Sequence, residues 1–327
     1  KLSKYRNKTV LITGGAGSIG SEICKQLILC KPKKIIIIDQ SEYNIYLLNK
    51  KLTSKKIKTY LIDINNTKIL REIILRRKVD YIFHAAAYKH VDLLESNHIS
   101  AIKNNFIGTL SILKAIKNLN INLSIISTDK AVFPKSILGL TKRASEIIAR
   151  NFSNYPNYKY VKINIVRFGN VFGSQGSAIE TFVDQILNKK KITITSYNMK
   201  RYFMSIREAC NLVIQSAALE FKNKIFILDM GKQIKIINLI KKILDFYKKN
   251  IDDFKIVEIG IKKGEKNSES LSYVSKIIKT KIKKLMISEE KTKKIKNLGK
   301  KIDFIEQMIA NNNSKKAVFE IKKLIKI

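Results

Sequence analysis

The 327-residue sequence is poor in the residues that staple, ligate or interrupt a chain. Its three cysteines, Cys24, Cys30 and Cys210, have the spacing of neither a metal site nor a redox pair. No disulfide framework and no metal centre is expected, and a reducing, cytoplasmic setting is the simplest reading. Only three prolines interrupt the chain. Long hydrophobic runs are missing too. The longest strongly apolar stretch is the four isoleucines 35–38, far short of the roughly 20 residues that a membrane-spanning helix needs. No N-terminal stretch combines a basic start, an apolar core and a cleavage site. The sequence starts at Lys1 and not at methionine, so an upstream anchoring segment, and with it a membrane contact, stays open.

Acidic residues are the other shortage: 26 Asp and Glu face 64 Lys and Arg, for a net charge of +38. Such an excess invites a nucleic-acid reading. However, residues 222–327 carry +16 and the remainder +22, so the charge is spread along the chain and not gathered in one tail. The sequence is rich in Lys, Ile and Asn together, all encoded by A/T-rich codons, and nothing in it resembles a DNA- or RNA-reading motif. A solvated basic surface is the simplest account. Attraction of an anionic partner, such as a nucleotide-sugar or a lipid surface, is the alternative. No nucleic-acid partner is expected.

What is present is a regular alternation. KTVLIT (8–13), KIIIID (34–39), KTYLID (58–63), DYIFHAA (80–86), LSIIS (123–127) and VKINIVRF (161–168) read as strands. SIGSEICKQLILC (18–30), EYNIYLLNKKL (42–52), NTKILREIILRRK (66–78), a stretch around 98–118 and LTKRASEIIARNF (140–152) read as the helices between them. This predicts an α/β fold: a Rossmann-type, doubly wound parallel sheet with a smaller C-terminal lobe. Residues 1–168, with returning elements at about 205–250, form the expected dinucleotide-binding domain. Residues 169–204 and 251–327 form the expected substrate-binding lobe, ending in a basic helical pair. No internal repeat is found.

GAGSIG at 15–20 is G-x-G-x-x-G, directly after a predicted strand and opening a predicted helix. Glycines there permit a tight turn and let the backbone approach a pyrophosphate, whose charge sits at the helix N-terminus. Asp39 ends the second strand, where an acid accepts hydrogen bonds from an adenosine ribose and repels a 2′-phosphate. No arginine follows it, so NAD is favoured over NADP.

With Gly14 included, Thr13–Gly20 reads T-G-x-x-G-x-x-G, which resembles the short-chain dehydrogenase/reductase superfamily. HAAAYKHVDLLE (84–95), NNFIGT (104–109), STDKAVFP (127–134), GLTKRASE (139–146), VRFGNVFGSQGS (166–177), RYFMSIREA (201–209), FILDMG (226–231) and GEK (264–266) follow in order. Together they resemble the polysaccharide-biosynthesis branch of the extended superfamily, over about residues 5–280. UDP-N-acetylglucosamine 4,6-dehydratases are its best-known members. The resemblance implies an internal redox cycle. Hydride leaves sugar C4 for NAD, water is eliminated across C5 and C6, and the hydride returns to C6.

The same resemblance implies the roles of single residues. Gly14, Gly17, Ser18, Ile19 and Gly20 line the cofactor, with Asp39, Asp63, Ile64, Ala85 and Ala86, and Lys142 holds the nicotinamide ribose. Asp129 is the acid toward the departing C6 hydroxyl, Lys130 the base at C5, and Thr128 a hydroxyl near the 4-OH. Lys89, His90, Asn105, Asn170, Ser177, Arg201 and Glu265 are the substrate-side residues. Lys262 and Lys263 stand where the family carries Arg-Pro. Leu138 stands where most of the superfamily has its tyrosine. This resembles a tyrosine-less subgroup with methionine there, associated with retention at C5. His84 and His98 are read as packing or surface residues. A C4 or C5 epimerase of a nucleotide-sugar is the competing activity. A homodimer or larger assembly through helices flanking the sheet is implied.

Overall fold

A computed structural model describes residues 2–326. β1 (Thr9–Thr13), β2 (Lys34–Asp39), β4 (Tyr81–His84), β5 (Asn122–Thr128) and β6 (Lys162–Phe168) are buried almost throughout. Their continuous apolar runs suit strands covered on both faces. β3 (Ile57–Leu61) is the half-exposed edge. The parallel order is β3-β2-β1-β4-β5-β6 followed by strand Ile225–Leu228. Strands Leu285–Ser288 and Ile277–Lys279 then add an antiparallel margin that the sequence pattern did not suggest. The order reverses between β1 and β4, and the crevice beyond the carboxyl ends of these two strands is where such sheets hold ligands.

Helices cover both faces. One core cluster joins Leu11, Ile36 and Ile82 to helices Thr67–Arg77, Gly108–Ala115 and Ile137–Phe152. The other joins Val10, Ile12 and Phe83 to helices Ser18–Leu29 and Ile206–Ala218. The expected helix around 98–118 is instead a short helix, His98–Ala101, a π-helical turn, Ile102–Ile107, and helix Gly108–Ala115. The wider turn carries Asn104 and Asn105, and such turns often mark functional places.

The small lobe has its own core of Phe182, Ile186, Ile192, Ile194, Met199, Ile236, Ile240 and Leu244. Its composition departs from the boundaries expected from the sequence. Helix Ile236–Phe246 sits in the small lobe, not with the large domain. The terminal helices Leu298–Ala310 and Ser314–Lys326 sit on the large domain, not the small lobe. The reason is amphipathicity. Leu298, Ile302, Ile305, Met308, Val318, Ile321 and Leu324 form one apolar stripe, and it is buried against the helix Ile137–Phe152 layer. Lys114 and Glu306 add an ion pair at 3.0 Å across that contact. Among the described residues, no helix is long and apolar enough to cross a membrane.

Candidate active site

A cleft of about 750 Å³ opens at the carboxyl ends of β1, β4, β5 and β6. Its floor is the glycine loop. Gly14 has φ +61°, and a Cβ there would lie 2.6 Å from the Ala86 backbone. A Cβ at Gly20 would lie 2.3 Å from the Gly14 carbonyl oxygen. Only glycine lets β1, β4 and helix Ser18–Leu29 converge this tightly. No side chain caps that helix at Gly17, so its first N–H groups open onto the cleft, as a bound pyrophosphate requires. Asp39 accepts the Ala16 and Ser41 backbone N–H groups, each at 3.0 Å, which fixes its carboxylate beside the loop. These residues fit a dinucleotide.

Thr128, Asp129 and Lys130 stand at the end of β5. Asp129–Ala131 is a single 3₁₀ turn. The Thr128 hydroxyl donates to Asp129 Oδ1 at 2.8 Å, and Lys130 Nζ donates to the same oxygen at 3.1 Å and to Asn170 Oδ1 at 3.2 Å. Asp129 is 0 % exposed, and its Oδ2 has no partner among the described residues. A buried carboxylate oxygen left open is costly unless a proton or a ligand hydroxyl completes it. Gly169 makes the room: a Cβ there would lie 2.8 Å from Asp129 Oδ2.

Lys142 lies on the first turns of helix Ile137–Phe152, which Ser136 caps. Its Nζ donates to the Ile126 carbonyl at 2.5 Å and lines the cleft. Burial pushes its pKa down to about 8, against the opposing pull of Glu146. The native amine therefore loses its proton near pH 8, and the unfolded one at its ordinary 10.5. Between these values the unfolded chain binds more protons, so this group adds stability as pH rises across the window. The ammonium that would hold a ribose disappears over the same range. Dinucleotide affinity, followed by calorimetry, is expected to fall as pH rises past about 8. Lys142→Met is expected to weaken binding and flatten that profile. A wild-type affinity unchanged through this window would refute the assignment.

His84 is fully buried. The Thr109 hydroxyl donates to the Asn105 carbonyl, so His84 Nε2 donates to Thr109 Oγ1 (3.0 Å) and Nδ1 accepts from Thr13 (2.8 Å). Burial, then the charge of Lys142, pushes its pKa down to about 3, so the ring is a neutral strut between β1, β4 and the start of helix Gly108–Ala115. Leu138 is 6 % exposed and faces the cleft, an apolar wall with no group that transfers protons.

The remaining expected residues divide. Gly17, Ser18, Ile19, Ala85, Lys89, His90, Asn170 and Ser177 line the cleft. Lys89 Nζ donates to the Gln175 carbonyl at 2.5 Å, and Gln175 N–H donates to Ser18 Oγ at 3.0 Å, so loop 173–177 bridges the cleft. His90 packs under Gly176. Ser177 caps helix Ala178–Leu187. Asn105 is 1 % exposed and its amide is taken: it accepts from Tyr88 N–H (2.8 Å) and donates to Tyr88 O and Thr141 Oγ1. It braces the loop after β4 instead of facing a substrate. Asp63 accepts from the Asn65 backbone and amide in a turn, and Ile64 packs against Gly108; neither lines the cleft. Arg201 is buried and donates to the Lys200 and Asn267 carbonyls, and Glu265 accepts from Lys262 N–H; both lie off the cleft wall. His98 bonds the Glu95 carbonyl.

Sequence reasoning missed the charge cluster behind the turn. Arg167, 0 % exposed, reaches Glu146 through two 2.7 Å bonds and grips Glu290 with both terminal nitrogens. Arg143 joins both carboxylates at 3.0 and 3.2 Å. Glu146 and Arg167 lie inside quoted motifs, but Glu290 lies 123 residues beyond Arg167, with no local pattern to mark it.

The family described as polysaccharide biosynthesis protein matches residues 10–290. The capsular polysaccharide biosynthesis protein CapD of Staphylococcus aureus is 38 % identical over 96 % of this chain, which spans 53 % of that protein's length. A Rickettsia canadensis protein named UDP-glucose 4-epimerase is 35 % identical over 82 % of this chain and 78 % of its own. Among solved structures, Pen from Bacillus thuringiensis shares the fold with a TM-score of 0.80 and 31 % identity, covering 89 % of this chain and 92 % of its own. With the glycine loop, Thr128, Lys130 and Lys142 gathered in one cleft and Asp129 buried directly behind it, a match of this extent has one meaning. The chain belongs to the polysaccharide-biosynthesis family, in the nucleotide-sugar branch of the extended short-chain dehydrogenases.

Proposed function

We propose that the chain is an NAD-dependent nucleotide-sugar 4,6-dehydratase, with UDP-N-acetylglucosamine as the first substrate to test and surface polysaccharide synthesis as the setting. The observation that carries the reading is the Asp129–Lys130 pair: a fully buried carboxyl with one open oxygen, touching an amine 3.1 Å away at the cleft wall. A bound nicotinamide would supply the hydride acceptor for C4 and the donor for C6. Helix Ser18–Leu29 and Asp39 would hold the dinucleotide, and Lys142 would donate to its ribose. One proton passing from Lys130 Nζ to Asp129 turns the ion pair into an amine and an acid. The C4 hydroxyl proton leaves to solvent past Thr128 as C4 is oxidised, the amine takes the C5 proton, and Asp129 protonates the leaving C6 hydroxyl. Lys130 then returns a proton to C5 as C6 is reduced, and one proton from solvent restores the ion pair. Leu138 and Phe168 keep that wall dry.

A C4 epimerase is the second reading, favoured by the name of the Rickettsia relative. Leu138 does not separate the two, because both begin with loss of the C4 hydroxyl proton and neither finds a phenol at that position. Incubation with UDP-N-acetylglucosamine and NAD in deuterated water, read by NMR, separates the two. The expected product carries a 4-ketone, a 6-methyl group and deuterium at C5, with retained C5 configuration. A product keeping its C6 hydroxyl supports the epimerase. No 6-deoxy product from any common nucleotide-sugar refutes the dehydratase.

A further inference from the structure

The Asp129–Ala131 turn is too short to hold itself. It contains one internal backbone bond, from Val132 N–H to the Asp129 carbonyl at 3.0 Å, and single 3₁₀ turns bond with poor geometry. Proton transfer nevertheless needs its two ionisable side chains in fixed places. The anchors lie behind it. On one flank, the Ser127 hydroxyl donates to Glu146 Oε1 at 2.6 Å. On the other, the Tyr273 hydroxyl donates to the Ala131 carbonyl at 3.0 Å.

Both anchors end on the same buried cluster. Glu146 is held by Arg167 and Arg143. Tyr273 donates its backbone N–H to Glu290 Oε1 at 3.2 Å, and Glu290 is held by the same two arginines. The Tyr273 ring is fixed from its faces and edge. The Arg143 guanidinium lies 4.3 Å from its centre, and the Phe133 ring lies 4.5 Å away at 60°. The phenol is partly buried, touches nothing in the cleft and belongs to no motif of the dinucleotide fold. Two arginines and two glutamates sharing one buried site also make a balanced set, suited to fixing geometry more than to adding stability.

We infer that Tyr273 is a positioning residue: through its bond to the Ala131 carbonyl it transmits the rigidity of the Arg143–Glu146–Arg167–Glu290 cluster to the Asp129–Lys130 pair. The inference deepens the dehydratase reading and rests on it, since the turn is worth positioning only if its side chains do the chemistry.

Tyr273→Phe removes one oxygen and leaves the ring stacking in place, and Ser127→Ala cuts the opposite flank. Each is measured in the full chain with NAD and UDP-N-acetylglucosamine. The expected result for Tyr273→Phe is a kcat lowered on the order of tenfold, KM within about twofold, and dinucleotide affinity unchanged. Backbone hydrogen exchange in the peptide spanning 128–133 is expected to quicken about fivefold, with the rest of the protein unaffected. Ser127→Ala is expected to act in the same direction. Unchanged kcat, or a lowered kcat with unchanged exchange at 128–133, overturns the inference. A wild-type protein that binds NAD but dehydrates no nucleotide-sugar overturns the dehydratase reading instead, and the exchange measurement still decides whether Tyr273 holds the turn.

Discussion

Replacing Asp129 with asparagine is expected to lower formation of the 6-deoxy product by about 10²–10⁴-fold, the usual worth of a positioned general acid. The substitution keeps the shape. The amide oxygen still accepts from Thr128 and Lys130, as Oδ1 does now. The amide nitrogen takes the place of Oδ2, against Gly169. What is lost is the transferable proton at the one carboxyl oxygen left without a partner. The Asp129 carboxylate bonds only Thr128 and Lys130 and none of the residues assigned to the dinucleotide, so cofactor binding is expected to be untouched. NMR in deuterated water reads the two halves of the reaction separately. Deuterium still enters C5 in the variant if C4 oxidation and Lys130 survive, while loss of the C6 hydroxyl stops. A variant that eliminates water at the wild-type rate would remove Asp129 from the mechanism.

The second large effect is on stability. Arg167→Leu is expected to cost about 3–5 kcal/mol, because it strands two buried carboxylates with Arg143 as their nearest remaining cation. Urea denaturation is the measurement, and a loss below about 1 kcal/mol would mean that water or movement compensates freely. A Glu146→Gln change added to the Arg167 variant is expected to recover part of the loss by removing one stranded charge. Acid should act on the wild type in the same sense. Burial alone would push the Glu146 carboxyl up, but Arg167 first, then Arg143 and Ser127, hold it at about 2. Its contribution is complete above its ordinary value of 4.5 and is lost as pH falls from there toward 2.

The first half of the fold was legible because its signals are local. Strands buried on both faces must be continuous β-branched runs, and the turn after β1 must be glycine to pass beneath Ala86. The cleft residues followed from motif order for the same reason, since Gly17, Lys89, Lys130 and Asn170 all sit within a few residues of a strand end, and Lys142 on the first turns of the helix after β5. The antiparallel margin was not legible. Strand Ile277–Lys279 is three residues long and exposed, and its pairing with Leu285–Ser288 exists only once the sheet is built. Nor could order along the chain tell that Asn105 spends its amide on Tyr88, or that Arg201 spends its guanidinium on the Lys200 and Asn267 carbonyls and does not line the cleft. These depend on which way a side chain turns, which spacing does not encode. The helical pair at the end was recognised, but its berth was not, because an apolar stripe says that a helix must be covered and not by what.

Glu290 meets Arg167 across 123 residues of chain. During synthesis, β5, the Asp129–Ala131 turn and Lys142 leave the ribosome long before residue 290 does. Until then Arg167 has Glu146 but lacks its second carboxylate, and the carbonyl of Ala131 waits for Tyr273. A nascent or truncated chain that ends before this point lacks Glu290 and the apolar stripe of the two terminal helices, so its Asp129–Ala131 turn is without one of its anchors. In the proposed dehydratase, a fixed acid–base pair would arrive only with the last sixth of the sequence.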